Sequence, residues 1–391
     1  MTVQIDRGRA FLDEIERIAR DVAAAHADEV DRDARFPVEA IDALREAGAL
    51  SAFVPASLGG GGVPLTALAR ACLELARGCS ATAMVFAMHQ IQIATIVRHM
   101  DRGGWYESYL RRVVDEQRLV ASITSEVGTG GDMSRSIAAV TQADGGLLRF
   151  EKQAPTVSYG AHADDFFTTL RRAPEVDEGD QVMVLHHADQ TDLERVGTWD
   201  TIGMRGTCSP GFVVRCTFAP EQVLAAPFSA VANESQVPIS HVLWSHVWLG
   251  IAVEAFERGR AFVRAAARRS RGNPVPAAHS LSRVMSELAL LRAEVGSGLA
   301  EFVAADEDDD RDRLSTMASI LRFNNLKLAA SEQTPRVCMG VLEVIGIMAY
   351  KNDSPYGVGR QLRDALSARL MVANERVHSI DAGLLMIAKE V

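Results

Sequence analysis

The chain has 391 residues, enough for two or three domains with sizeable cores. Its net charge is −10 and it contains no basic tract interleaved with aromatic residues, so nucleic acid is not an expected partner. The five cysteines are scattered, without Cys-x-x-Cys or clustered Cys/His spacing. We therefore predict no metal site and a reduced, cytoplasmic location.

The block 1–118 is predicted to be helical. Apolar residues such as Ile15 and Ile18 recur at helical spacing. Pro37 is placed to begin a further helix, and Gly48 is placed to end it.

Two 18-residue stretches, 80–97 and 236–253, carry no formal charge and could be mistaken for membrane spans. Each contains His, Gln or Ser at several positions, and these side chains are costly in lipid. We therefore predict helices buried on all sides inside a large protein, and no membrane partner.

The spacing of the apolar residues changes in the block 119–230, where short strand-like runs are separated by Gly, Pro, Asp and Asn. No helix-length periodic segment divides these runs, so a mostly antiparallel barrel or sandwich is expected. The helical period returns in the block 231–391, with breaks at 271–276, 306–313 and 351–355.

A glycine-rich stretch, TSEVGTGGDM (124–133), lies near the start of the strand-like block. A dinucleotide-binding turn needs a third glycine where Met133 stands, and a helix where a hairpin pattern follows. A P-loop would need Gly-Lys-Ser/Thr after the glycines. By itself the stretch indicates a tight turn between strands.

The order of helices, a small β-domain and a long helical block resembles the acyl-CoA dehydrogenase superfamily of flavoproteins over essentially the whole chain. Four stretches carry the resemblance, and their order and spacing match those of the family. They are VPASLGGGGVPL (54–65), TSEVGTGGD (124–132), WDTIGMRGTCSP (199–210) and AYKNDSPYGVGRQLRDA (349–365).

The resemblance implies a mainly α protein with a central β-domain. The expected parts are an N-terminal α-helical domain (1–118), a small β-barrel or sandwich (119–230) and a C-terminal four-helix bundle (231–391). It further implies FAD as cofactor and assembly as a homodimer or homotetramer.

The resemblance also implies which residues contact FAD. Glycines let the main chain approach a flat ring closely, and hydroxyl groups can bond the ring edge. Ser158 would lie at the flavin N5 edge, Arg268 at the pyrophosphate of a neighbouring subunit, and Asn374 along the pocket. The full set is Thr124, Ser125, Gly130, Gly131, Ser158, Arg268 and Asn374. The alternatives are a strand-connecting turn, surface charge at Arg268, and polar bundle surface at Asn374.

The two positions at which family dehydrogenases carry a Glu base are occupied here by Val372 and Ser240. Neither side chain can accept the α-proton of an acyl thioester. Two imidazoles are candidates for the base, His241 and His89, because histidine titrates near neutral pH. A histidine inside an apolar helix is more often structural. If His241 is the base, the pH profile of flavin reduction should rise near pH 6 to 7.

Three functions remain open. The first is α,β-dehydrogenation of an acyl thioester, bound to coenzyme A or a carrier protein, with a non-standard base and with an electron acceptor such as electron-transfer flavoprotein or O₂. The second is a flavin-dependent monooxygenase on the same fold. The third is a non-catalytic FAD-binding subunit of a heteromeric dehydrogenase. The motif set favours the first.

Overall fold

The computed structural model describes residues 2–270, 273–307 and 311–387. Within these ranges, six α-helices precede the first strand. They are α1 Thr2–Ile18, α2 Ala24–Arg32, α3 Val38–Glu46, α4 Leu65–Gly78, α5 Ser80–His99 and α6 Trp105–Glu116. Pro37 immediately precedes α3, and Gly48 adopts a left-handed φ of +68° after its end, as the sequence predicts.

Seven strands follow the first helices. They are β1 Val120–Ile123, β2 Thr141–Gln142, β3 Leu148–Ala154, β4 Asp165–Arg171, β5 Gln181–His187, β6 Thr191–Val196 and β7 Gly211–Phe218. They form a three-stranded sheet in the order β1-β4-β5 and a four-stranded sheet in the order β2-β3-β7-β6. All strand pairs are antiparallel except β1 with β4. The sheets are separate, so the barrel alternative is not what the chain adopts.

Helices return after β7 and continue along the rest of the described chain. They are α7 Phe228–Val231, α8 Val237–Arg269, α9 Pro276–Glu307, α10 Arg311–Leu314, α11 Met317–Ile345, α12 Ile347–Tyr350, α13 Gly359–Leu366 and α14 Asn374–Leu385. The predicted breaks at 271–276 and 306–313 lie partly outside the described residues. The helix–sheet–helix order matches the predicted fold class, whereas the domain boundaries at 118 and 230 stay predictions.

Helix α5 and the helical stretch Phe228–Arg269, which includes α8, are long and apolar enough to cross a membrane by length and composition. In the folded chain, however, 89% and 94% of their most apolar windows are buried by other parts of the protein. Both are therefore core helices, as the scattered His, Gln and Ser positions predict. The core itself is shared, because Ile15, Phe166, Trp248 and Val341 from successive parts of the chain belong to one apolar cluster.

Candidate functional site

The glycine loop, residues 128–131, follows β1 and is held in a conformation that suits glycine. Gly128, Gly130 and Gly131 have φ values of +93°, +62° and +82°. If Gly130 carried a side chain, the nearest atom to its Cβ would belong to the guanidinium of Arg376, 4.0 Å away. Gly128, Gly130 and Gly131 are exposed, and without Cβ atoms their backbone can be approached closely by a flat ligand.

Hydroxyl groups border this loop. Ser125 Oγ donates to the carbonyl of Thr156 at 2.7 Å and lies 3.0 Å from Thr156 Oγ1. This contact joins the loop after β1 to the loop after β3, which also carries Ser158. Thr124, Ser125 and Ser158 are half-buried. The structure thus joins Ser125 to the loop that carries Ser158, and contact of these hydroxyl groups with FAD stays a prediction.

A buried ion pair between Glu126 and Lys152 lies next to the glycine loop. The carboxylate of Glu126 accepts hydrogen bonds from Ser136 Oγ at 2.7 Å and from the N–H of Ala138 at 2.5 Å. Lys152 Nζ lies 3.5 Å from the same carboxylate and donates to the carbonyl of Thr169 at 2.6 Å. Burial lowers the pKa of Lys152 to about 8, and the charge of Glu126 opposes that shift. The chain before the glycine loop, at Glu126, is therefore joined to the chain after it, at Ser136 and Ala138, through one buried carboxylate.

The helical bundle meets the glycine loop through α14. Arg376, in the first turn of α14, donates to the carbonyl of Gly130. Asn374, at the start of the same helix, is buried and bonded to Ser331 and Lys327 of α11. Asn374 therefore lies two residues before the arginine that contacts the loop, but its own amide is engaged inside the bundle.

Val372, which the sequence resemblance aligns with the family's Glu, has a left-handed backbone. Its φ is +49°, which costs an L-residue about 1–2 kcal/mol and is most unfavourable for a β-branched side chain. Lys327 Nζ donates to the Val372 carbonyl at 2.7 Å and to Asn374 Oδ1 at 2.5 Å. Burial lowers the pKa of Lys327 to about 8. A buried cation thus contacts the backbone of the Val372 turn.

His89 is bonded through both ring nitrogens. Its Nε2 is 2.7 Å from the carbonyl of Leu50, and the N–H of Val120 donates to its Nδ1 at 3.0 Å. These partners require a neutral ring protonated on Nε2. Burial lowers the pKa of His89 to about 4. The geometry makes His89 a link between α5 and β1, with no lone pair left for substrate.

His241 is buried on α8 and packs against α11. Its Nδ1 lies 2.9 Å from the carbonyl of Phe323, so this nitrogen carries the proton in the neutral ring. Burial, and then the nearby charge of Lys327, lower the pKa of His241 to about 3. A ring with so low a pKa holds an abstracted proton weakly near neutral pH, so this environment does not favour His241 as a base.

Arg268 is exposed at the C-terminal end of α8. It lies roughly 40 Å along the helix axis from His241. The contact of Arg268 with a neighbouring subunit's FAD stays a prediction. Among the described residues, no group of three or more His, Cys, Asp and Glu side chains is arranged to hold a metal ion.

Sequence reasoning missed Lys327, Arg376 and the Glu126–Lys152 pair. Glu126 could have been suspected, because an acid inside a glycine-rich turn needs a partner if it is buried. Lys327 gives no such signal, since a single lysine in an amphipathic helix is ordinarily exposed.

Comparisons with known proteins show what the chain as a whole is similar to. The family described as Acyl-CoA dehydrogenase, N-terminal domain, matches residues 6–116. L-evernosamine nitrososynthase from a Micromonospora species is 26% identical, with 96% of this chain and 89% of that protein covered. Cyclohexane-1-carbonyl-CoA dehydrogenase from Syntrophus aciditrophicus is 22% identical, with 98% and 96% covered. The structure of KijD3 in complex with FMN and dTDP-3-amino-2,3,6-trideoxy-4-keto-3-methyl-D-glucose is similar, with a TM-score of 0.83, 25% identity, and 98% and 95% of the chains covered.

The fold and the matches define a flavoprotein oxidoreductase built from two helical parts around small sheets. The match to the N-terminal domain family and the similarity along almost the whole chain support membership of the acyl-CoA dehydrogenase superfamily, whose family cofactor is FAD.

Proposed function

We propose that the chain is a flavin-dependent monooxygenase that uses reduced flavin and O₂ instead of abstracting an α-proton from an acyl thioester. The observation that carries this proposal is the Val372 turn. The family's base position holds an apolar side chain here, and the buried ammonium of Lys327 bonds the carbonyl of the same residue at 2.7 Å.

The site residues fit a flavin. The glycine loop offers exposed backbone to a ring face, and Thr124, Ser125 and Ser158 offer hydroxyl groups to the ring edge. Arg376 holds the loop from the bundle side through the carbonyl of Gly130. When bound, the flavin would supply two electrons to O₂, so that one oxygen atom enters the substrate and the other leaves as water.

The relatives suggest which substrates to test first. The nitrososynthase is named for an amino sugar, and the KijD3 structure contains a dTDP-linked amino sugar. The cyclohexane-1-carbonyl-CoA dehydrogenase is named for an acyl thioester. Amine oxidation does not require a carboxylate at position 372. We therefore propose a nucleotide-linked amino sugar as the first substrate class to test.

Dehydrogenation of an acyl thioester is the second candidate function. It is favoured by the four motifs and by a relative of that activity that covers 98% of this chain. It would need a base, and both imidazoles considered for that role are bonded to backbone carbonyls. A non-catalytic FAD-binding subunit would need a partner chain to supply the base. Cytoplasmic location and a homodimeric or homotetrameric state stay proposals.

The experiment that separates these functions asks what reduces the flavin. Purified protein is loaded with FAD or FMN and mixed anaerobically with a panel of acyl thioesters. The monooxygenase proposal expects the flavin to stay oxidised. After reduction by NADH and a separate flavin reductase, admission of O₂ should then oxidise a dTDP-linked amino sugar, measured by mass spectrometry. Anaerobic bleaching by a thioester would instead establish the dehydrogenase.

A further inference from the structure

Lys327 is a buried cation whose two acceptors are neutral oxygens. Its side chain is fully buried in α11, and its ammonium donates to the Val372 carbonyl and to Asn374 Oδ1. A buried charge costs free energy unless it is well bonded, and a methionine would fill similar space without that cost. The position of this charge therefore calls for a role beyond filling the bundle.

The two contacts of Lys327 fall on either side of Ala373, immediately before α14 begins. Val372 has the left-handed backbone, and Ala373 is the residue that precedes the first turn of the helix. The left-handed conformation is intrinsically unfavourable for valine, so it persists only where surrounding contacts enforce it. The ammonium supplies such a contact at the carbonyl of Val372 itself.

The turn fixes where α14 starts, and α14 carries the contact to the glycine loop. Asn374 is anchored by Lys327 and by Ser331, whose Oγ lies 3.2 Å from Asn374 Oδ1. Arg376 lies two residues further along and donates to the Gly130 carbonyl. A continuous set of bonds thus runs from the interior of α11 through the Val372 turn to the glycine loop.

We propose that Lys327 is a positioning residue: its ammonium enforces the left-handed turn at Val372 and so places Arg376 against the glycine loop. This role rests on the proposed function in one respect, since the glycine loop is taken to be where flavin binds. Lys327 itself is not assigned any contact with flavin or substrate.

The test uses a cycle of variants in the full chain. Lys327→Met removes the ammonium and keeps the volume, whereas Val372→Gly removes the cost of a left-handed backbone. The matched control is Arg322→Met. It removes a charge from the same helix, where Arg322 bonds Glu294 and Glu301 of α9, 2.5 Å and 3.0 Å away. Two readouts are measured: hydrogen exchange of segments 371–377 and 128–132, and the dissociation constant for FAD.

Lys327→Met should weaken FAD binding about tenfold or more and speed exchange in both segments, because hydrogen bonds from a charged group are lost. The double variant Lys327→Met/Val372→Gly should recover most of this loss, since glycine adopts the turn without help. Arg322→Met should leave exchange in both segments unchanged.

Two outcomes would overturn the proposal. In the first, Lys327→Met leaves exchange in both segments at the wild-type rate. In the second, Val372→Gly gives no recovery in the double variant, which would mean that Lys327 acts only in bundle packing. Hydrogen exchange needs no ligand, so it tests the positioning role even if the wild-type protein fails to bind FAD. Such a failure would count against the proposed function alone.

Discussion

Asp364 accepts a hydrogen bond from the backbone N–H of Met204, 2.6 Å from its Oδ1. The two residues belong to two of the four sequence stretches that resemble the superfamily, and Ser80 donates to the other oxygen of the same carboxylate. At Gly203, a Cβ would lie 2.1 Å from the carbonyl of Arg363, so the two segments touch backbone to backbone. One buried carboxylate thus joins the first helical part, the sheets and the C-terminal bundle.

The first prediction concerns this junction. Asp364→Ala should lower the free energy of unfolding by about 2–4 kcal/mol, because it leaves the Met204 N–H and the Ser80 hydroxyl buried without an acceptor. Asp364→Asn retains one acceptor oxygen and should lose less. Urea unfolding followed by circular dichroism measures both. Equal stability of the alanine variant and the wild type would show that this carboxylate does not hold the parts together.

The second prediction concerns the support of the glycine loop. Glu126→Gln should destabilise the protein by about 3–5 kcal/mol, since it leaves the buried Lys152 cation without its counter-charge. The neighbouring Glu151→Gln is the control, because Glu151 and its partner Arg215 are exposed and water screens that pair. Urea unfolding should therefore separate the two variants clearly. A Glu126→Gln variant as stable as Glu151→Gln would contradict the role of the buried pair.

The third prediction separates backbone strain from cofactor binding. Gly130→Ala and Gly145→Ala both place an alanine at a positive φ, +62° and +70°, and a Cβ at either position would meet little or nothing. Each should cost about 1–2 kcal/mol of stability. Only Gly130→Ala should weaken FAD binding, because Gly145 lies in the hairpin before β3. Equal FAD affinity in the two variants would remove the glycine loop from the cofactor site.

Much of the fold could be predicted because it depends on local periodicity. The buried helices α5 and α8 carry long uncharged stretches, and the strands carry short β-branched runs between turn residues. The parallel pairing of β1 with β4 could not be predicted in this way, because it depends on which distant strands meet.

The candidate site was less accessible to sequence reasoning for a related reason. Arg376 and Gly130 are far apart in the chain, and nothing in the identity of either residue predicts that they are in contact. Lys327 resembles any surface lysine until its burial is known. The left-handed backbone of Val372 contradicts local preference, and only the surrounding bonds account for it. Sequence could therefore locate the glycine loop, but not the part of the bundle that holds it.

The last prediction concerns His241 and pH. Burial lowers the pKa of His241 to about 3, below its ordinary value of 6.5. A group whose pKa is lower in the folded state contributes stability above its unfolded pKa and loses that stability as the pH falls towards the folded pKa. His241 should therefore destabilise the protein in acid, with the loss growing from pH 6.5 towards pH 3 by at most about 1.4 kcal/mol per pH unit. His241→Gln should flatten this dependence in urea unfolding, measured as the difference from wild type at each pH.

A pKa of about 3 also means that His241 should not be the source of any ionisation near pH 6 to 7 in flavin reduction. If wild-type reduction shows such an ionisation and His241→Gln abolishes it while FAD binding survives, His241 titrates near neutral pH and the base-swapped dehydrogenase regains its catalytic base.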